Sequence, residues 1–187
     1  MANEKMPIEM KKVITPEFRV SFEHVFDAHA FKGAEAKYSI TMLYDKSADL
    51  AAMKKAVRNA AVEKFGPDWK NKGLRLPFRN GDEKTDMDGY AGKIFISAST
   101  KQRPQVIDAK KSPLTKEDGA FYSGCYARAS LIAFAYDHLG NKGVSFSLQN
   151  VQKLRDGERF SGRKNAVDEF DSVEDGSDDE SNYDLGM

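Results

Sequence analysis

Alternation with period two runs through much of the chain. After Pro16, Phe18, Val20, Phe22, His24 and Phe26 fall on one parity, with Arg19, Ser21, Glu23 and Val25 on the other. Aromatic and β-branched residues in that rhythm predict a half-buried strand. Lys32-Gly33 breaks it. Over 37–45, Tyr38, Ile40, Met42 and Tyr44 alternate with Lys37, Ser39, Thr41 and Leu43, a second strand antiparallel to the first. Over 93–100, Ile94, Ile96 and Ala98 face one way and Lys93, Phe95, Ser97 and Ser99 the other. A short PQVID piece follows at 104–108. The apolar, aromatic run 120–137 reads as one long strand, with Gly124 as a bend or bulge. Beyond a turn at 140–143, Val144, Phe146 and Leu148 alternate with Ser145, Ser147 and Gln149 in a last strand.

One stretch changes period. In 48–65, Leu50, Met53, Val57, Ala61 and Phe65 recur at helical spacing. Ser47 stands where an N-cap hydroxyl is useful, and Gly66-Pro67 is a stop. Five strands with one main helix after the second, and no β-α-β-α alternation, predict a mainly β fold. The expected architecture is a five-stranded antiparallel OB-like barrel. Its helix, between strands two and three, departs from the commonest OB order. Residues 1–15 are expected to be a flexible basic N-terminus, 16–164 the barrel domain, and 165–187 a separate tail.

Charge separates that tail from the body. The chain of 187 residues has 29 Lys and Arg and 29 Asp and Glu. Nine of the acids lie in 168–187, which has no Lys or Arg, so a net charge of zero hides a body near +9. An acidic block with few large apolar residues cannot offset its ordering entropy and is expected to be disordered. No apolar run approaches the ~18 residues that span a bilayer, and the N-terminus has no secretory h-region. A lone cysteine, Cys125, fits a reducing cytoplasm.

Candidate chemistry follows from rings beside cations. If Ile94 and Ile96 meet the core, Lys93 and Phe95 face outward. If Cys125, Ala127, Ala129 and Leu131 do, then Tyr122, Tyr126 and Arg128 face outward. The loop 67–90 interleaves Trp69, Phe78 and Tyr90 with Lys70, Lys72, Arg75 and Arg79, and Lys101 and Arg103 follow the third strand. Exposed rings next to cations suit a nucleic-acid single strand, because bases stack on rings while cations track phosphates. The expected DNA contacts are therefore Trp69, Lys72, Arg75, Phe78, Arg79, Lys93, Phe95, Lys101, Arg103, Tyr122, Tyr126 and Arg128. The polyanion would compete with phosphates for the same surface and offer a bait to basic partners through Asp178, Asp179, Glu180, Tyr183, Asp184 and Leu185.

Catalysis has less support. Asp82, Glu83, Asp86 and Asp88 could hold Mg²⁺ for a nuclease or recombination enzyme. They also follow Asn80-Gly81, a turn dipeptide, and hard-metal sites usually draw ligands from several elements. No Cys/His spacing suits zinc, and no phosphate-binding glycine loop or nucleophile elbow is present. No metal or cofactor is expected.

Three blocks carry a family resemblance: DGYAGKIFISAST (88–100), FYSGCYARASLIAFAYD (121–137) and GVSFSLQNVQKLRDGERFSGR (143–163). Together they resemble a family of tailed-phage single-stranded DNA-binding proteins with an OB-like fold. The last block is the most specific. The resemblance implies a non-enzymatic protein that coats single-stranded DNA in replication, recombination or repair, in the host cell cytoplasm. Related single-stranded DNA-binding proteins recruit replication or recombination proteins through acidic tails, many of which finish on an aromatic residue. This tail finishes Tyr183-Asp184-Leu185-Gly186-Met187. A homodimer is compatible with this reading. A replisome adaptor or RNA-binding module is the further alternative.

Overall fold

The structure is a computed structural model that describes residues 5–84, 86–160 and Ser172. Among the described residues, eight strands form one sheet: β1 (Lys12–Ile14), β2 (Phe18–His29), β3 (Lys37–Asp45), β4 (Arg79–Asn80), β5 (Lys93–Thr100), β6 (Gln105–Ile107), β7 (Tyr126–His138) and β8 (Asn141–Arg155). Five of them, β7-β2-β3-β5-β8, close into a ring because β8 pairs with β7 as well as β5. These are the five strands that the alternation predicts, and the ring is the expected OB-like barrel. All its seams are antiparallel except β5–β8, which is parallel at Ala98–Phe146 and Ser99–Ser147. β1 and β6 add to β7 and β8, and β4 adds to β5.

Alternation decides what fills the ring. Ile40, Met42 and Tyr44 of β3 meet Ile96 and Ala98 of β5 inside, with Leu131, Phe146 and Leu148 from the β7–β8 hairpin. Helix α1 (Ala51–Phe65) packs mainly on β7 and buries Met53, Ala56, Val57, Ala60 and Ala61, a stripe at the spacing of one helix face. Gly66 ends it at φ 86°, in the left-handed region that glycine tolerates. No helix among the described residues is long and apolar enough to cross a membrane.

The boundaries differ from expectation in four places. Residues 8–14 are not loose: a 3₁₀ turn (Ile8–Met10) leads into β1, tied down by Lys11–Glu63 and by Asn59 donating to the Met10 carbonyl at 2.7 Å. The helix starts at Ala51 rather than after Ser47, and Asp49 accepts the Ala51 N–H at 3.0 Å. The run 120–137 is a turn followed by a strand, because Gly124 (φ 111°) bends the chain before β7 begins at Tyr126. The last strand runs to Arg155, since Val151 still points into the core.

β2 departs from simple alternation. Phe18 and Val20 are buried, but Phe22 takes φ 45° and the register against β3 slips between Ser21 and His24. This bulge turns Phe22 outward, 51% exposed, and brings Val25 into the core.

Candidate nucleic-acid interface

The outer face of β2, β3 and β5 forms the floor of a cleft of about 710 Å³. Cross-strand pairing fixes this face: Leu43 lies opposite Phe95 and Thr41 opposite Ser97, while Met42–Ile96 and Ile40–Ala98 occupy the other parity. At one end Leu43, Tyr90 and Phe95 form a small second core. The Tyr90 and Phe95 rings meet edge to face at 5.3 Å, and the Tyr90 hydroxyl bonds the Ser21 hydroxyl at 2.9 Å. Phe22 stands beside Tyr90 with ring centroids 6.5 Å apart. Phe31, 69% exposed, and the imidazoles of His24 and His29 line the other end.

Cations complete the cleft. Arg79 on β4 lies opposite Phe95, its guanidinium 5.0 Å from the ring centre, and Lys84 approaches the same ring at 5.7 Å. Among the described residues, no Asp or Glu lines this cleft. Rings and cations without a competing carboxylate suit a polyanion with stacking bases.

The expected contacts divide sharply. Arg79 lies in the cleft. Phe95 shares it, on the predicted parity, but is 4% exposed, so it supports the floor rather than offering a free face. Trp69 and Phe78 pack against the main core, Phe78 edge to face with Phe146 at 6.3 Å. Arg75 is exposed on the loop that bridges to Gly143. Lys72, Lys93 and Lys101 form ion pairs with Asp68, Asp45 and Glu35. Arg103 donates to the Phe26 carbonyl at 2.9 Å, and Arg128 to Gln152 at 2.8 Å.

Tyr122 and Tyr126 belong to a different assembly. The segment 156–160 folds back across the barrel end like a strap. Tyr122 is half-buried rather than outward; its hydroxyl donates to the Gly157 carbonyl at 2.9 Å and accepts the Gly157 N–H at 3.1 Å. Arg155 stacks 3.7 Å from the Tyr126 ring centre and Arg159 4.2 Å from that of Tyr122. Arg19 lies 4.0 Å from the Phe160 ring centre and donates to the Glu158 carbonyl at 2.7 Å. Phe160 in turn packs against the Leu43–Tyr90–Phe95 cluster. The chain's own arginines therefore cover the two tyrosine faces.

Asp82 accepts from Lys46 and from the Gly92 N–H at 2.6 Å, and these bonds hold its carboxyl below the usual range. Among the described residues, no three His, Cys, Asp or Glu side chains converge as metal ligands. Burial pushes the Cys125 thiol up, which disfavours the reactive thiolate. The expected partner contacts Asp178, Asp179, Glu180, Tyr183, Asp184 and Leu185 lie outside the described residues.

Sequence reasoning missed Phe22, His24, His29, Phe31 and Lys84. Phe31-Lys32-Gly33 carries the ring-beside-cation signal and could have been found. Phe22 could not, because strict alternation assigns it to the parity of Phe18 and Val20.

Residues 11–181 match the family described as Enterobacter phage Enc34, ssDNA-binding protein. Protein p50 of Acyrthosiphon pisum secondary endosymbiont phage 1 is 39% identical over 178 residues, covering 87% of this chain and 94% of that protein. The single-stranded DNA-binding protein from bacteriophage Enc34, solved in complex with ssDNA, superposes with a TM-score of 0.69 at 23% identity, over 81% of this chain and 90% of that one. The fold is also similar to gp2.5, a single-stranded DNA-binding protein encoded by bacteriophage T7, with a TM-score of 0.56 at 11% identity over 83% and 97% of the two chains.

Proposed function

The chain belongs to the Enterobacter phage Enc34 ssDNA-binding protein family, and from that membership we propose that it coats single-stranded DNA during phage replication, recombination or repair, in the host cytoplasm and without catalysis of its own. The observation that carries this reading to a place on the molecule is the acid-free cleft on β2, β3 and β5. Phe22 and Phe31 are the exposed rings there, and each base stacked on such a ring contributes roughly 1–3 kcal/mol. Arg79 and Lys84 neutralise phosphates. Tyr90 and Phe95 hold the floor on which the exposed rings stand.

Salt dependence is the direct test. Two neutralised phosphates on a single strand give a slope of about −1.4 in log K against log salt, so tenfold more salt weakens binding about 25-fold. Titration of oligo(dT), duplex DNA and RNA of equal length at two salt concentrations measures this. The single DNA strand should bind most tightly, and the double substitution Arg79→Ala/Lys84→Ala should flatten its slope. Affinity for oligo(dT) that ignores salt would sink the mechanism.

The acidic segment that follows the strap has a role in the same reading. It competes with DNA for the cationic cleft and, once displaced, is available to basic surfaces of replication or recombination proteins.

A further inference from the structure

His24 and His29 lie five residues apart on β2, an odd separation that would place them on opposite faces of a regular strand. The register of β2 against β3 slips again between them, and the two imidazoles come onto one face. They stack with centroids 4.4 Å apart and planes 11° from parallel. Both line the cleft beside Phe22 and Phe31.

We propose that this stacked pair is a proton-linked phosphate contact: single-stranded DNA draws a proton onto His24 as it binds, and the charged ring, with His29 stacked against it, then holds a backbone phosphate. The inference rests on the reading of the cleft as the DNA site.

The surroundings argue for it. Across the cleft stand Arg79 and Lys84, and Lys37 lies opposite His29 on β3. The neighbouring acids are engaged elsewhere. Asp27 is held by Lys116, Glu23 interacts with Asp27 and Lys116, and Glu35 pairs with Lys101. Among the described residues no carboxylate lines the cleft to compete with a phosphate for these cations. Burial, and then the neighbouring His29, push His24 below its ordinary value. A phosphate laid across the pair reverses that balance, because an adjacent anion favours the protonated ring.

The sign follows from linkage. A complex that binds more protons than its free components tightens as pH falls. Uptake that averages about half a proton tightens binding roughly tenfold between pH 7.5 and pH 5.5, with most of the change near the ordinary imidazole range.

The test uses the full chain and oligo(dT), whose bases do not titrate in this range. Anisotropy titrations across that pH range give the affinity. Calorimetry in two buffers of different ionisation enthalpy counts protons taken up, a readout that a purely structural role would not move. The wild type should tighten as pH falls, with measurable uptake. His24→Gln/His29→Gln, checked for folding by circular dichroism, should vary less than twofold and take up no proton. A wild type that binds without uptake overturns the inference and leaves the cleft reading standing. So does a variant that keeps the full pH slope, which would move the proton to another group such as Glu23. A wild type that fails to bind oligo(dT) at any pH overturns both.

Discussion

Phe22 shows how much can turn on one residue. A non-glycine residue at φ 45° sits in a region that costs about 1–2 kcal/mol for an L-residue. Around it, Ser21 bonds Tyr90 and Val25 fills the core, and these neighbours hold the bulge in place. Glycine adopts the same backbone without strain but removes the ring. Phe22→Gly should therefore leave denaturant stability within about 1 kcal/mol of the parent while single-stranded DNA affinity falls by roughly 1–3 kcal/mol, fivefold or more. Unfolding and DNA titrations on the same preparation check this; a loss of stability without a loss of affinity would make Phe22 a structural residue only. The bulge also marks the limit of what single positions reveal. Parity placed Phe95 on the correct face of β5. It failed for Phe22, because a slip of one residue exchanges the two faces of a strand.

At the scale of elements, those with internal rhythm were legible. The ring strands and α1 announce themselves through periods of 2 and 3.6, and Gly66 and Gly124 mark real breaks. The strap has no such rhythm. Asp156-Gly157-Glu158-Arg159-Phe160 is short and mostly polar, and its partners Arg19, Gly89 and Tyr122 are distant in sequence. The loop aromatics were legible as rings but not as core, since Trp69 and Phe78 find their burial against other elements. Gly157 gives a clean test of the strap. A Cβ there would lie 2.2 Å from the Gly124 carbonyl oxygen and 2.8 Å from the Tyr126 ring. Gly157→Ala should lift the strap, break its bonds to Tyr122 and cost roughly 1–3 kcal/mol in chemical denaturation. A variant as stable as the parent would mean that the strap contributes nothing to the barrel.

For the whole molecule, charge is arranged in two blocks. The nine acids of 168–187 follow closely on Phe160, whose ring packs on the floor of the cleft. In the proposed reading, a polyanion tethered at that point would compete for the cleft at high local concentration. Deletion after Val167 should therefore tighten oligo(dT) binding, roughly tenfold at low salt and less as salt screens both competitors. Parallel titrations of the full and shortened chains measure it, and unchanged or weaker binding would remove the competitor role. At this scale the sequence was most informative. The count of ring strands, the place of the helix and the division of charge are sums over many residues, so one misplaced parity does not upset them.

The seam between β2 and β7 bears on how the barrel is made. The β7–β8 hairpin joins residues close in sequence, whereas the seam joins Phe18 and Arg19 to Ala127 and Tyr126 across a longer stretch of chain than any other seam of the ring. Contacts that close large loops carry their entropy cost before they return anything, so they tend to form late. Folding should begin with the hairpins and end with the seam, and local opening should run in reverse. Amide exchange at the seam would then outpace that of the hairpin. Because β2 is also part of the cleft floor, a strand of DNA lying across β2, β3 and β5 would grip the barrel beside the place where it first comes apart.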